Sequence, residues 1–280
     1  MHVFKRTSIA AALFLYGMVS AATPQTKSTE GDVPESVSAG FSLSLSGDIP
    51  LTLAAAGISG LGSLLYSQMK VPDETKGKDD LLPWDRPIAG RYSRTADRIS
   101  DFGAALAVAP VTVGAVAWYQ GRSNAAEFAT FTLMFAQAIA IGNGINLAVR
   151  SLEIWPRPYT YAESGEGLHA AENAKPEAYG SFFSGHATAA FTVATFTDQW
   201  FRTVYPNSPY AGIVRAGAYS LAAIESMMRV TAGKHYFTDV IVGALVGTGV
   251  SLGILEIHRN RNEKFSMWIG TNVVGITSRF

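Results

Sequence analysis

The sequence predicts an all-α fold, a helical bundle of about six core helices followed by a short C-terminal tail of β-hairpin character. The first observation is a set of six apolar blocks, each long enough for a helix. The second is that glycine and alanine recur within the blocks at the spacing of close helix contacts. The third is a charged fraction of 16%, below the roughly 25% of an ordinary soluble domain. The blocks are Ile49–Met69, Phe102–Tyr119, Phe128–Val149, Ala187–Phe201, Ala211–Val230 and Phe237–Ile257.

Ahead of the blocks, residues 1–22 have the pattern of a cleaved signal peptide. Lys5 and Arg6 form a basic start, Ile9–Val19 is a short apolar run, and small residues around Ala21 suit a cleavage site. The sequence therefore predicts an exported protein of the bacterial cell envelope, in the periplasm or in the membrane, with its active site facing the periplasm.

The remaining chain divides by composition. Residues 23–48 are polar and rich in Ser, Gly and Pro, which predicts a flexible leader. Residues 49–258 hold the apolar blocks and form the predicted helical domain, in which 70–101 is a charged connection of loop or surface helix. Residues 259–280 are rich in β-branched and aromatic residues separated by Gly, which favours a short hairpin.

Overall charge and cysteine content exclude several classes of function. Lys+Arg and Asp+Glu both number 22, so the net charge gives no support for general binding to nucleic acid or to an anionic surface. The chain has no cysteine, which excludes disulfides and thiol chemistry.

Whether the blocks span a membrane stays open at this stage. Several approach the ~20 apolar residues that a bilayer requires. Three spans between an exported N-terminus and Arg150 would place Arg150 in the cytoplasm, so a periplasmic site needs an even number. A membrane-embedded and a soluble bundle are both compatible with the sequence. The blocks also carry polar residues, namely Gln137, Asn143, Asn146, Arg215, Glu225, Asp239 and Glu256.

Three short motifs follow the third block, "RSLEIWPRP", "FSGH" and "RVTAGKHYFTD". Arginines provide planar forks of N–H donors that match phosphate oxygens. A serine hydroxyl and a glycine N–H can bind further oxygens. Two histidines can divide a reaction at phosphorus, one as nucleophile and one as proton donor. The candidate residues are Arg150 and Arg157 in the first motif, Ser184, Gly185 and His186 in the second, and Arg229, His235 and Asp239 in the third.

Taken one at a time, these residues have structural explanations. Arg150 can cap the end of its helix, and Ser184 can cap the start of the next one. His235 and Asp239, four residues apart, can be an ordinary helix pair or a catalytic pair that fixes the imidazole. The combination of all three motifs in one chain favours a phosphate site.

With these motifs the chain resembles the type 2 phosphatidic acid phosphatase superfamily, which includes bacterial acid phosphatases, lipid phosphatases and vanadium haloperoxidases. The signature of that family is Lys-x6-Arg-Pro, Pro-Ser-Gly-His and Ser-Arg-x5-His-x3-Asp, and the spacings within all three motifs match. The resemblance covers about residues 133–255. Arg150 replaces the usual lysine, Phe183 replaces a proline, and Met228 replaces a serine.

The resemblance implies a role for each motif residue. His235 would be the nucleophile that forms a phosphohistidine, Asp239 would orient it, and His186 would be the general acid and then the base for water. No metal is implied. The phosphate would be held by Arg150, Arg157, Ser184, Gly185 and Arg229.

The implied activity is that of a metal-independent phosphoric ester hydrolase. Its expected substrate is a phosphate monoester or diphosphate, with a lipid favoured because the helices around the motifs are apolar, and membrane association is expected. The alternatives are a soluble periplasmic acid phosphatase, a vanadium-dependent haloperoxidase and a non-catalytic binding or scaffold protein. Vanadate is expected to inhibit a phosphatase and to be the cofactor of a haloperoxidase.

Three further residues have competing interpretations. His169 lies in the polar segment between the first two motifs, where a solvated loop histidine is favoured over part of a lid. Trp155 either packs under its loop or contacts the substrate. His258 follows the last block and is expected to cap that helix.

Overall fold

The structure, a computed structural model, describes residues 40–41, 43–101, 106–259, 266–270 and 273–277. The predicted signal peptide and most of the predicted leader lie outside the described residues. The prediction of an all-α bundle is confirmed. The described helices are α1 Leu45–Ser67, α2 Arg94–Asp101, α3 Val108–Tyr119, α4 Ala125–Arg150, α5 Gly165–Asn173, α6 Gly185–Val204, α7 Ala211–Thr231 and α8 Phe237–His258, and the strands β1 Ser266–Gly270 and β2 Val273–Thr277 pair antiparallel.

Six of the helices, α1, α3, α4, α6, α7 and α8, correspond to the six apolar blocks. The first begins at Leu45, inside the segment predicted as a leader. Its polar start resembles a leader, but Asp48 accepts a hydrogen bond from the Ser44 backbone N–H and is buried. The segment around His169, expected as a loop, contains the short helix α5, on which His169 is exposed and lies 3.8 Å from Glu172.

Polar residues fix where the long helices begin. Asn124 accepts a hydrogen bond from the Glu127 N–H at 2.9 Å, and the Glu127 carboxylate accepts one from the Asn124 N–H, so α4 starts with a capping box. Ser184 caps α6 by accepting from the Ala187 N–H at 3.3 Å. Two of the three motifs therefore lie at helix starts, because Asp239 plays a similar part in the first turn of α8.

Glycines allow the helices to approach closely, as the sequence predicted. A Cβ on Gly144 in α4 would lie 2.6 Å from the carbonyl group of Ile58 in α1. A Cβ on Gly247 in α8 would clash with the carbonyl oxygen of Thr188 in α6. These contacts fix α1 against α4 and α6 against α8 with little freedom to shift.

The ends of the long helices meet at two opposite ends of the bundle. The end where α4 and α7 finish and where α6 and α8 begin, here named the motif end, carries all three motifs. At the opposite end, named the far end, His258 Nε2 lies 2.6 Å from Asp48 Oδ1, and both side chains are buried. His258 Nδ1 also lies 2.8 Å from the Ile254 carbonyl oxygen, which is the expected cap contact at the end of α8. The pair with Asp48 additionally joins α8 to α1.

The apolar core lies toward the far end. Phe131 of α4 stacks on Trp200 of α6 with ring centroids 3.9 Å apart, and Phe196 packs edge-on against Phe131. The other fully buried members of this cluster come from α3, α4, α6 and α8, and they include Val113, Ala117, Met134, Ala138, Phe201, Val204 and Leu255. Large buried aromatic rings of this kind dominate the stability of a helical core.

The outer surface of the bundle is also apolar. Among the helices of the described residues, three, α1, α4 and α8, are long and apolar enough to cross a membrane. Only 11% of the apolar stretch of α1 is buried. Exposed apolar residues of this kind, including Leu53 and Leu61 in α1, Ile213 and Ile224 in α7, and Ile241 and Leu245 in α8, form a surface that water solvates poorly. This surface suggests association with a membrane.

The direction of the helices restricts any membrane topology. The hydroxyl of Tyr66, near the end of α1, accepts a hydrogen bond from Arg150 at the end of α4, so α1 and α4 are parallel. If both cross a bilayer, the start of α1 and the motif end lie on opposite sides. A cleaved signal peptide, a membrane-spanning α1 and an active site on the exported side therefore cannot all hold.

The close contact of α6 with α8 gives a stability prediction. Gly247→Ala places a methyl group against the Thr188 backbone and should lower the free energy of unfolding by about 1–3 kcal/mol. Gly249→Ala, in the same helix with open space around its Cβ position, is the matched control and should change it by less than about 1 kcal/mol. Thermal unfolding of both variants measures the difference, and equal midpoints would contradict the proposed contact.

Candidate active site

Arg150 is the last residue of α4, and its side chain turns across the motif end. Its Nε donates to the carbonyl oxygen of Gly180 at 2.9 Å, and its Nη2 donates to the Tyr66 hydroxyl at 2.7 Å. The Tyr66 ring also lies under the guanidinium, 4.5 Å from its carbon to the ring centroid. These partners lie outside α4, so the side chain does more than cap its own helix.

Arg229 lies in the last turn of α7 and is buried. Its Nη1 donates to Ser100 Oγ at 2.7 Å and to Asp97 Oδ1 at 3.2 Å, and it lies 3.5 Å from Asp101 Oδ1. All three partners are on α2, a helix for which the motifs gave no signal. Asp97 also holds Lys234 Nζ at 3.0 Å, so α2 fixes two cations at the motif end.

Two arginine nitrogens at the motif end have no partner among the described residues. They are Nε of Arg157 and Nε of Arg229, and both are buried. Burial and the charge of Arg157 also lower the pKa of Arg229, which places the two guanidinium groups in mutual repulsion. Buried donors without a partner are costly. An oxyanion between the two arginines would give both nitrogens an acceptor and would offset the repulsion between the two guanidinium groups.

His235 and Asp239 meet at the motif end, but they do not share a helix. His235 lies in the turn before α8, whereas Asp239 is in its first turn. His235 Nδ1 is 3.3 Å from Asp239 Oδ2, and both side chains are buried. The predicted i, i+4 helix contact is therefore replaced by a carboxylate that reaches back to the preceding turn, where it also accepts from the Tyr236 N–H at 3.0 Å.

Asp239 has two further donors. Ser181 Oγ donates to its Oδ2 at 2.6 Å, and Trp155 Nε1 donates to its Oδ1 at 3.2 Å. Burial raises the pKa of Asp239 to about 6, although these donors act in the opposite direction. At neutral pH the carboxylate is therefore ionised and acts only as an acceptor. The hydrogen of the His235 imidazole must therefore be on Nδ1, which leaves the lone pair of Nε2 free. Trp155 thus positions the aspartate through its indole N–H.

The charge of the site keeps His235 neutral. Burial together with the charges of Arg157, Arg229, Arg150 and His186 holds the pKa of His235 well below its ordinary range. A buried imidazole that is neutral and has a free lone pair is available as a nucleophile or as a base.

His186 is the second residue of α6, and 41% of its side chain is exposed. Its Nε2 lies 4.0 Å from Asp101 Oδ1. Partial burial of the ring and the charges of Arg229, Arg157 and Arg150 lower the pKa of His186 to about 3. A bound anion would offset the arginine charges and raise this pKa again.

The predicted contributions of Ser184 and Gly185 are less direct. Ser184 is completely buried, its Oγ caps α6, and its backbone N–H donates to the Asp239 carbonyl oxygen at 3.0 Å. A Cβ at Gly185 would lie 2.7 Å from Asn146 Oδ1, so only glycine fits there. Contact of either residue with phosphate stays a prediction.

The structure thus places all eight predicted site residues at the motif end. Sequence reasoning missed the residues that support them, namely Tyr66, Asp97, Ser100, Asp101 and Ser181. Within the described ranges, no group of three His, Cys, Asp or Glu residues could hold a metal ion. Metal independence stays a prediction.

The hydrogen bond from Trp155 to Asp239 gives a second stability prediction. Trp155→Phe keeps an aromatic ring against Phe182 but removes the donor, and it should lower the free energy of unfolding by about 1–3 kcal/mol, because the acceptor is a buried carboxylate. Trp84→Phe is the control, since Trp84 Nε1 donates to Thr238 Oγ1 at an exposed position. Chemical unfolding should separate the two variants; equal losses would contradict the role given to Trp155.

A comparison with known protein families matches the part of the chain that carries the three motifs. Residues 127–263 match the model of the PAP2 superfamily, and this range contains all eight predicted site residues. No match was found among curated proteins. Among solved structures, the chain is similar to the first transmembrane PAP2 type phosphatidylglycerolphosphate phosphatase from Bacillus subtilis, at 17% identity over 90% of this chain and 95% of that chain, with a TM-score of 0.42. Over residues 127–263, the chain belongs to the PAP2 superfamily.

Proposed function

We propose that the protein is a metal-independent phosphatase that works through a phosphohistidine on His235. The observation that carries the proposal is the position of this residue. It is a buried, neutral imidazole held by Asp239 beside three arginines, two of which have an unpaired Nε among the described residues. This arrangement suits an electrophilic, negatively charged group better than a neutral substrate.

In the first step, the phosphate group of the substrate binds between the arginines, and Nε2 of His235 attacks phosphorus. The bond from phosphorus to the leaving oxygen breaks as the new P–N bond forms. His186 gives its proton to that oxygen, so the alcohol leaves neutral. Asp239 stabilises the positive charge that develops on the His235 ring.

In the second step, water attacks phosphorus of the phosphohistidine. His186, now without its proton, accepts one from the water, and the P–N bond breaks. Inorganic phosphate leaves, His235 returns to its neutral form, and His186 is protonated for the next cycle. Both histidines end as they began, and no other group has to change its protonation state.

We further propose a lipid phosphate as the substrate. The motif end carries exposed apolar side chains around the site, among them Val71, Trp84 and Leu152. The long helices below it present the apolar outer surface described above. A substrate with an acyl or isoprenoid chain would lie along this surface with its phosphate at the arginines. A soluble phosphate ester would gain nothing from it.

A substrate panel tests this function. Wild-type protein should hydrolyse phosphatidic acid and isoprenoid diphosphate faster than a soluble monoester, vanadate should inhibit it, and a chelator should have no effect. His235→Ala should reduce turnover by at least about 10³-fold, because the nucleophile is lost. The control is His169→Ala, which changes an exposed histidine. Preference for the soluble ester would contradict the lipid assignment, and halide oxidation with vanadate and peroxide would indicate a haloperoxidase instead.

The proton donor gives a separate prediction. His186→Ala should slow substrates with alkyl leaving groups by about 10²–10⁴-fold but should affect activated aryl phosphates much less, because a good leaving group needs little protonation in the transition state. The rate of the P–O cleavage step, measured in single-turnover experiments, distinguishes the two classes. Equal losses on both classes would remove His186 from this role.

A further inference from the structure

Helix α2 lies outside the segment that matches the PAP2 family and yet contacts the candidate active site. It presents two carboxylates, one turn apart, to the motif end. Asp97 binds Arg229 and Lys234, and Asp101 Oδ1 lies between two groups, 3.5 Å from Arg229 Nη1 and 4.0 Å from His186 Nε2. Within the described part of the chain, Asp101 is the carboxylate that lies within 4.0 Å of a ring nitrogen of His186.

His186 needs such a partner because its surroundings are strongly positive. Three guanidinium groups oppose a proton on its ring, and they lie on three different segments of the chain. The acid step, however, requires that the proton be on His186 when the substrate is bound. The charged or titratable groups that face the ring are Arg150, Arg157, Arg229, His235, Asp97 and Asp101.

We propose that Asp101 is a positioning residue of the reaction, which keeps the proton on His186 until the leaving group receives it. The inference rests on the proposed function for the acid role of His186. The carboxylate faces one ring nitrogen, and its negative charge offsets part of the arginine charge. Because Asp101 stays 66% exposed, it can serve as a counter-charge without closing the site to substrate.

Asp97 also offsets part of the arginine charge, since its own charge raises the pKa of His186. It is a poor probe, however, because it binds Arg229 and Lys234 directly. Asp101 touches Arg229 at a longer distance, and Ser100 and Asp97 would still hold that arginine after its loss. A change at Asp101 therefore acts mainly through charge.

The test is Asp101→Asn, compared with Asp101→Glu and with the control Asp73→Asn. The control removes one negative charge from an exposed site in the same connection. Since the acid must be protonated, kcat falls as the pH rises through the pKa of His186 in the substrate complex. Asp101→Asn lowers that pKa, so the basic limb of the kcat profile should move to lower pH by about half a unit for alkyl phosphates. In Asp101→Glu the basic limb should lie close to its wild-type position, and in Asp73→Asn its position should not change.

An effect through structure alone has a different signature. It would raise KM or lower kcat equally at every pH and leave the basic limb in place, which would overturn the inference. A limb that moved equally for activated aryl phosphates would overturn it as well, because those substrates need little proton donation.

A second measurement does not depend on turnover. NMR titration of ¹³C-labelled histidine in protein saturated with inorganic phosphate reports the His186 pKa directly, after assignment with His186→Ala. Asp101→Asn should lower this pKa by about half a unit. An unchanged value would overturn the inference even in an active enzyme. A wild-type protein without turnover would instead reject the proposed phosphatase and leave this titration to decide about Asp101.

Discussion

Burial of positive charge at the motif end is the constraint on which the rest of the structure depends. Three arginines converge there, and each must find acceptors or be neutralised, because an unpaired buried charge is costly. The chain provides the Gly180 carbonyl and the Tyr66 hydroxyl for Arg150, and a carboxylate and a hydroxyl of α2 for Arg229. Two Nε atoms are left over in the described chain. Under the proposed function, these two donors would be satisfied when the phosphate of the substrate binds.

Helix starts carry the chemistry because they hold polar groups at fixed positions. Ser184 caps α6 and so places His186 in the first turn, while Asp239 holds the turn before α8 and so places His235. The two starts are joined by the bond from the Ser184 N–H to the Asp239 carbonyl oxygen. Close contact at Gly247 then fixes the two helices along their length. His186 and His235, the two histidines of the proposed reaction, are thus positioned by the same hydrogen bonds that begin the helices.

Features set by neighbouring residues could be predicted from the sequence, whereas contacts between residues far apart in the chain could not. Six helices and the motif spacings follow from patterns within a few residues of each other, and so does the contact of His235 with Asp239. Asp97 meets Arg229 across 132 positions, and Asp48 meets His258 across 210. In a charged segment such as residues 70–101, the sequence around an aspartate does not show whether the side chain is solvated or binds a buried arginine. The same ambiguity made the polar start of α1 resemble a leader.

The parallel arrangement of α1 and α4 explains why α2 lies where it does. Both helices end at the motif end, so the connection between them must first pass over that end and then return to the far end through α3. Gln120, just after α3, accepts a hydrogen bond from Tyr205 at the far end and marks that return. Helix α2 lies in the part of this connection that crosses the motif end, where it contacts Arg229. Residues 127–263 thus contain the candidate site residues. The preceding chain, which has to pass across that end of the bundle, contributes the carboxylates that pair with Arg229.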